Sequence, residues 1–242
     1  MAEPLSLPAV VVVTGTGTGV GKTVATAALT AMLLDRGADV RVAVVKPAQT
    51  GVDPSDPGDL DEVCRLVGPS DRVTYREFVR LRDPLAPAAA ARREGVTLPP
   101  VATWVAPITD LAAAHDVVLV EGAGGLLVEL DSRGGTLADL AVALRYKGIS
   151  AGVVMVASPG LGTLNHTALT AEALAQRGIP LLGVIVGTWP QPPQAPDLAM
   201  HENLADLPKA AGAHLLGRLT DGAGALASAD FRRAVATWLS VC

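Results

Sequence analysis

The residues best suited to chemistry lie in one glycine-rich stretch near the N-terminus, residues 14–23, with the sequence TGTGTGVGKT. Dense glycines allow backbone N–H groups to surround phosphate oxygens, and the start of a helix adds a positive dipole end. In such a loop Lys22 would reach the β- and γ-phosphates, and the Thr23 hydroxyl would coordinate Mg²⁺. The stretch therefore predicts a phosphate-binding loop (P-loop) for a nucleoside triphosphate.

The glycine spacing separates this loop from two related patterns. The dinucleotide pattern G-x-G-x-x-G fails from Gly15, where its last position is Val20, and from Gly17, where it is Lys22. The strict P-loop pattern has four residues between its glycines, whereas five separate Gly15 from Gly21. The spacing thus predicts a variant P-loop, and a glycine-rich turn with a solvated lysine is the alternative.

Charged residues follow the next two apolar runs of the chain. Lys46 could be a clamp on a transferring phosphoryl group or a surface lysine that ends a strand. Glu121 could contact Mg²⁺ or simply end a strand in a turn. Asp59, at the start of a predicted helix, could cap that helix or bind the metal, and Asp56 and Asp61 compete with it for the metal role.

A third polar stretch, residues 158–166 (SPGLGTLNH), leads into another predicted helix. Free N–H groups at that helix start could hold a carboxylate. We expect His166 to pack or to cap rather than to catalyse. The other histidines, at positions 115, 201 and 214, have no metal-binding spacing.

Short apolar runs alternate with amphipathic segments along the whole sequence. This alternation predicts an α/β fold, a single doubly wound domain over residues 1–242 with a mainly parallel sheet and helices on both faces. Residues 70–84 are charged and match neither pattern. The predicted strands are 10–13, 40–45, 117–120, 152–157, 181–186 and a short one near 214–216; the predicted helices are 23–35, 60–67, 87–94, 101–115, 136–145, 163–177, 198–211 and 230–240.

Composition excludes several classes of function. The net charge of −5, with no basic block, argues against a nucleic-acid partner. No apolar run approaches the ~18 residues that span a bilayer, and no lysine or arginine precedes Lys22, so we expect a soluble protein with neither a membrane partner nor a secretory signal. Cys64 and Cys242 show no metal-binding spacing, which favours a reducing, cytoplasmic location.

Four motifs in this order carry a family resemblance: VTGTGTGVGKT, KPAQTG, VEGAGGLLVEL and LGTLNHT. Together, over residues 10–189, they resemble dethiobiotin synthetase. The resemblance implies a cytoplasmic homodimer that uses ATP and Mg²⁺ to convert 7,8-diaminopelargonate and CO₂ to dethiobiotin. A carbamate of the substrate would attack the γ-phosphate, and the second amine would then close the ureido ring.

The resemblance also assigns site residues. The catalytic lysines would be Lys22 and Lys46, and the Mg²⁺ ligands Thr23, Asp59 and Glu121. The substrate would contact Thr18, Lys46 and Thr50, with its carboxylate on backbone amides near Leu164 and Asn165 of the partner subunit. The nucleotide would contact Gly19, Val20, Gly21, Lys22, Thr23, Val24, Glu121, Gly122, Ala123, Gly124, Gly187, Thr188, Leu219, Thr220 and Asp221.

Two departures from the family pattern concern the P-loop and the segment that binds the base of the nucleotide. Gly19 stands where members often carry an acid, and Gly187-Thr188-Trp189 replaces an Asn-Asp pair that reads adenine. Loss of that amide predicts turnover with other nucleoside triphosphates, with the base held instead by backbone at 219–221.

Two other classes of enzyme share the P-loop. Amidating enzymes of the cobyrinate type ordinarily bring a glutaminase domain with a nucleophilic cysteine, for which this chain has no room. Partitioning ATPases carry a lysine where Gly17 stands and often a basic or amphipathic tail, and residues 230–240 have no polybasic run.

Overall fold

A computed structural model describes residues 7–239, in which seven strands form one sheet. The strand order is β3-β2-β4-β1-β5-β6-β7, and every pairing is parallel. The strands are β1 (Val10–Gly15), β2 (Val42–Gln49), β3 (Val73–Arg80), β4 (Val117–Gly125), β5 (Ala151–Ala157), β6 (Leu181–Trp189) and β7 (Leu215–Thr220). The predicted doubly wound α/β fold is confirmed, and the carboxyl ends of all seven strands meet at one edge.

Helices cover both faces of this sheet. They are α1 (Lys22–Leu34), α2 (Asp59–Val67), α3 (Pro87–Glu94), α4 (Val105–Ala114), α5 (Leu137–Tyr146), α6 (Thr163–Gln176), α7 (Leu198–Ala211) and α8 (Ser228–Trp238), with 3₁₀ turns at Val101–Trp104 and Ala223–Ala225. The predicted helix 101–115 is therefore a 3₁₀ turn followed by α4. The last predicted helix, 230–240, corresponds to α8, which begins two residues earlier than predicted, at Ser228. The predicted end of this helix, Ser240, lies outside the described residues.

Two apolar clusters hold these layers together. One joins α1, α2 and α8 to one face of the sheet, and the other joins α4, α5, α6 and α7 to the opposite face. Val11 and Val13 of β1 belong to the first cluster, while Val10 and Val12 belong to the second. Because successive side chains point to opposite faces, a strand buried on both sides must be apolar throughout, as the valine run is.

Residues 70–84, which match no pattern, contain the edge strand β3. Its sequence, VTYREFVR, mixes charged and apolar residues, and most of its side chains are only partly buried. Because an edge strand has one neighbour and is incompletely covered, it does not need the continuous apolar run of a central strand.

The strands also run further toward their carboxyl ends than their apolar runs predict. Lys46 lies inside β2, where it pairs with Glu77 of β3, and Glu121 lies inside β4, where it pairs with Val13 of β1. The expectation that both residues follow their strands is therefore wrong. Backbone pairing with a neighbouring strand continues the ladder past the point where side chains become charged.

No helix among residues 7–239 is both long enough and apolar enough to cross a membrane.

Candidate active site

The P-loop connects the end of β1 at Gly15 to the start of α1 at Lys22. The Lys22 side chain lies back along the loop, and its Nζ donates a hydrogen bond to the Gly17 carbonyl at 2.9 Å. A Cβ at position 15 would lie 2.7 Å from the Val20 side chain and 2.8 Å from the Gly17 carbonyl oxygen, so only glycine fits there. The loop backbone thus packs closely against the Lys22 side chain and binds its ammonium group.

Four of the predicted site residues meet beside this loop. The Lys46 ammonium donates to Glu121 Oε1 at 2.8 Å and to the Gly122 carbonyl at 3.2 Å, and it forms an ion pair with Asp59. The Thr23 hydroxyl donates to the same Glu121 oxygen at 3.0 Å. The cluster draws on α1, α2, β2 and β4, and it forms because β2 and β4 are neighbours in the sheet.

Burial makes the charges of this cluster interdependent. Lys46 is 3% exposed and Glu121 is fully buried. Burial lowers the pKa of Lys46, but the Glu121 and Asp59 carboxylates outweigh it and hold the pKa above its ordinary value. Burial, and then the nearby Lys46 charge, lower the pKa of Lys22. Lys46 is therefore a cation fixed by two carboxylates, whereas at Lys22 the same two carboxylates only partly offset burial and the Lys46 charge, and a bound phosphate would add to that compensation.

The acceptors in this cluster fit a Mg²⁺ ion. Glu121 Oε2 is buried and accepts no hydrogen bond from residues 7–239, which leaves an oxygen available for a ligand. Two carboxylates and a hydroxyl are hard oxygen ligands of the kind Mg²⁺ prefers, with phosphate oxygens and water completing the octahedron. Within the described part of the chain no three His, Cys, Asp or Glu side chains converge on a metal position, so nothing indicates an all-protein metal cage.

The competing acids lie away from this cluster. Asp56 is exposed, and the Asp61 carboxylate accepts a hydrogen bond from the Gly58 N–H at 2.7 Å. Only Asp59 of the three contacts Lys46.

A cavity of about 800 Å³ opens over the cluster and the P-loop. Thr18 and Thr50, the predicted substrate contacts, line it together with Gly19, Val24, Ala123 and Gly124. Gln49 and an apolar wall line it as well, and sequence reasoning missed both; the wall consists of Pro84, Leu85, Ala86, Pro87 and Val128. A polar residue inside the KPAQTG motif is a signal that could have indicated Gln49, but nothing in the sequence places 84–87 opposite the P-loop.

Leu164 and Asn165 do not line this cavity. They lie in the first turn of α6, which begins after Gly162, a residue with positive φ and no side chain to cap the helix. Asn165 is exposed. The first turn of α6 is thus separate from the cavity within this chain.

Comparison with known proteins identifies the family. The chain is 53% identical over 231 residues to the ATP-dependent dethiobiotin synthetase of Streptomyces coelicolor, covering 96% of this chain and 92% of the relative. It is 55% identical over 218 residues to that of Saccharopolyspora erythraea, covering 89% of each chain, and 50% identical over 229 residues to that of Rhodococcus jostii, covering 95% and 94%. The chain belongs to the dethiobiotin synthetase family. Its expected class, an ATP-dependent ligase, is thereby confirmed.

A broader family described as "AAA domain" also matches, over residues 9–221 of this dethiobiotin synthetase family member. Among solved structures, a ParA family ATPase from Chlorobium tepidum is similar, with a TM-score of 0.56, 15% identity and coverage of 96% of this chain and 91% of that one. MinD from Aquifex aeolicus has a TM-score of 0.51, 15% identity and coverage of 93% and 86%. At this identity the likeness shows a shared fold alone.

The two segments predicted for the base of the nucleotide are neighbours in this family member. Trp189 at the end of β6 pairs with Thr220, and the Asp221 N–H donates to the Trp189 carbonyl at 2.7 Å. Thr188 is partly buried and Asp221 exposed, while the Leu219 side chain is fully buried in the core, so only its backbone is suited to a ligand. None of these residues lines the 800 Å³ cavity.

Gly187 packs directly against the P-loop. A Cβ at this position would lie 1.6 Å from the Val20 carbonyl oxygen, and one on Gly21, whose φ is 93°, would lie 2.9 Å from the Gly187 carbonyl oxygen. The backbone at Val20 therefore fills the space that any side chain at position 187 would need.

Proposed function

We propose that this protein closes the ureido ring of dethiobiotin from 7,8-diaminopelargonate and CO₂, with ATP and Mg²⁺, in the cytoplasm and as one domain over residues 1–242. The observation that carries the proposal is the cluster of Lys46, Glu121, Asp59 and Thr23, whose lysine and glutamate are buried and which lies beside a P-loop and lines a large cavity. Family membership supplies the reaction, and the cluster supplies the groups that it needs.

The reaction requires little covalent chemistry from the protein. One substrate amine adds to CO₂ and loses a proton, and an oxygen of the resulting carbamate attacks the γ-phosphorus as ADP leaves. The second amine then attacks the carbonyl carbon of the mixed anhydride, inorganic phosphate leaves, and the ring closes. Because the substrate is its own nucleophile, the protein acts by positioning and by stabilising charge.

The cluster residues suit those two tasks. Lys22, at the mouth of the P-loop, would neutralise the transferring phosphoryl group, and Lys46 would hold the carbamate against it. Thr23, Asp59 and Glu121 would hold Mg²⁺, which when bound would shield the phosphate charges.

The other cavity residues suit the substrate. Thr18 and Thr50 are hydrogen-bonding groups on the cavity surface, suited to the amine or carbamate end. The apolar wall formed by residues 84–87 and Val128 suits the hydrocarbon chain of the substrate.

The working unit in this proposal is a homodimer. Leu161 and Leu169, next to and on α6, are 92% and 57% exposed and offer apolar surface to a partner. A second copy packed on α6 would cover them and would bring Leu164 and Asn165 of the partner subunit to the cavity, where helix N–H groups could hold the substrate carboxylate. Sedimentation should then give twice the 24.6 kDa chain mass.

Base selectivity in this proposal is relaxed. With glycine at position 187 and Val20 filling the adjacent space, no amide side chain from this position can read the base. Other nucleoside triphosphates should therefore support turnover, and strong ATP selectivity in a competition assay would contradict this part of the proposal.

The test supplies diaminopelargonate, bicarbonate, Mg²⁺ and ATP and follows phosphate release together with dethiobiotin by mass spectrometry. We expect one phosphate for each dethiobiotin formed, with no release above background when diaminopelargonate is omitted. If the rate of phosphate release is the same with and without diaminopelargonate, the synthetase function is refuted.

A further inference from the structure

Gln49 is a buried amide that no part of the reaction described above uses. It is the last residue of β2, three positions after Lys46, and only 4% of it is exposed. Burying an amide is costly unless its donor and acceptor are both paired. Its contacts therefore indicate what it stabilises.

Both ends of the Gln49 amide bind backbone next to site residues. Its oxygen accepts a hydrogen bond from the Asp59 N–H at 2.9 Å, and its nitrogen donates to the Thr50 carbonyl at 3.1 Å. One side chain thus connects Thr50, which directly follows β2, to the start of α2, which carries Asp59.

The N-cap residue of α2 offers no side-chain acceptor, although the Asp61 carboxylate accepts the Gly58 N–H. The residue before the helix is Gly58, which has no side chain to accept the N–H groups of the first turn. Gln49 accepts the first of them from a neighbouring strand and so acts as a remote cap. A Cβ on Gly58 would lie 3.0 Å from Arg80 Nη2 and 3.1 Å from the Gln49 oxygen, so a side chain there would crowd this contact.

We propose that Gln49 is a positioning residue that fixes Asp59 relative to Lys46 and Glu121, and so sets the affinity for Mg²⁺ in the nucleotide complex. This inference rests on the metal role proposed for Asp59. The hydrogen bond holds the Asp59 backbone at the N-terminus of α2, so its carboxylate can reach the cluster without a further loss of conformational freedom.

The experiment measures binding of ADP by calorimetry as a function of Mg²⁺ concentration, in the full-length protein. Gln49→Met removes the donor and the acceptor at similar length, and we expect it to raise the half-saturating Mg²⁺ concentration about tenfold. ADP affinity measured in EDTA should stay within about twofold of the original protein. Gln176→Met, which removes an exposed amide on α6, is the matched control and should change neither quantity.

A double-mutant cycle with Asp59→Asn distinguishes this inference from the function on which it rests. If Gln49 acts through Asp59, Gln49→Met adds nothing to the Mg²⁺ requirement of Asp59→Asn. An unchanged requirement in Gln49→Met, or its full effect persisting in the Asp59→Asn background, refutes the positioning role and leaves the metal role of Asp59 intact. An unchanged requirement in Asp59→Asn refutes both.

A second variant approaches the same contact from the other side, in case Gln49→Met does not fold. Gly58→Ala would place a methyl group between the Gln49 amide and the Arg80 guanidinium, at 3.1 and 3.0 Å, and so strain the hydrogen bond from the Asp59 N–H to Gln49. Gly58 has negative φ, so the alanine itself is unstrained there. The same rise in Mg²⁺ requirement is expected, and its absence in a folded Gly58→Ala protein counts against the inference.

Discussion

Two buried carboxylates, ten residues apart in the sequence, differ in how fully their oxygens are hydrogen-bonded. Asp131, in the loop after β4, is 2% exposed, and its oxygens accept three backbone N–H groups, from Val101, Arg133 and Gly135, at 2.7 to 2.9 Å. Glu121 is also buried, but one oxygen contacts Lys46 and Thr23 while the other has no hydrogen-bond partner among the described residues.

The difference separates a structural acid from one that is available for chemistry. Backbone N–H groups saturate Asp131 and lower its pKa against the opposing effect of burial, so it fastens the loop to the 3₁₀ turn at Val101–Trp104. Glu121 is held by a cation and keeps a free oxygen, an arrangement that costs stability unless a ligand completes it. We therefore expect changes at Glu121 and its partners to affect catalysis, and changes at Asp131 to affect folding.

The largest effect is expected from Lys46→Gln. The change removes the cation that we assign to the carbamate and the transferring phosphoryl group, and ring closure should fall by about 10³-fold or more. Nucleotide binding, measured by calorimetry, should largely survive because the P-loop is untouched. Lys209→Gln, at a side chain that is 75% exposed, is the control. If the Lys46→Gln protein turns over normally, the catalytic role of Lys46 is wrong, and Lys46 and Glu121 serve structure alone, as Asp131 does.

Glu121→Gln tests the free oxygen itself. The amide keeps an oxygen to accept from Lys46 and Thr23 but loses the negative charge, so Mg²⁺-dependent turnover should fall by about 10²-fold. The loss should be partly recovered at high Mg²⁺, and ADP binding in EDTA should be little changed. If turnover of Glu121→Gln does not respond to Mg²⁺ concentration differently from the original protein, the metal role of Glu121 is wrong.

The contrast between the two acids could be predicted from the sequence only in part. The P-loop is evident because a run of four valines favours a strand buried on both faces, and the glycine-rich stretch that follows it ends in Gly-Lys-Thr. Glu121 could be singled out because it follows such a run. Asp131 could not, because its partners include Val101, thirty positions away, and no periodicity records a contact of that kind.

Strand order limits what could be predicted about the site. Nothing in the sequence says that β2 and β4 are neighbours, yet this adjacency brings Lys46 to Glu121. The edge strand β3 could not be predicted because its half-exposed faces need no apolar run. Without β3, the position of residues 84–87 beside the P-loop could not be predicted either. The role of Gln49 could not be predicted because it depends on a contact with Asp59, ten positions away, and on the absence of a side chain at Gly58.

Asp131→Asn should have the opposite profile from Glu121→Gln. The amide presents a donor to an oxygen site filled with N–H groups, so the free energy of unfolding at neutral pH should fall by about 2–4 kcal/mol. Turnover per folded molecule should remain near that of the original protein, as measured after correcting for the folded fraction by circular dichroism. Asp206→Asn, at a side chain that is 43% exposed, should leave both quantities unchanged. A selective loss of turnover in Asp131→Asn would remove the distinction between the two acids.

The smallest effect is the pH dependence of the stability that Asp131 contributes. Its pKa in the folded state lies below the ordinary value of 3.8, so its stabilising contribution is fully present well above that value. As the pH falls below 3.8 the unfolded chain gains a proton that the folded chain does not, and the contribution is lost as the pH falls through the folded-state pKa. Urea unfolding of the original protein and of Asp131→Asn should therefore show a stability gap that is constant above about pH 5 and narrows toward pH 3. A gap that stays constant down to pH 3 would mean that the N–H groups stabilise protonated and ionised Asp131 equally, contrary to the hydrogen-bond geometry at both of its oxygens.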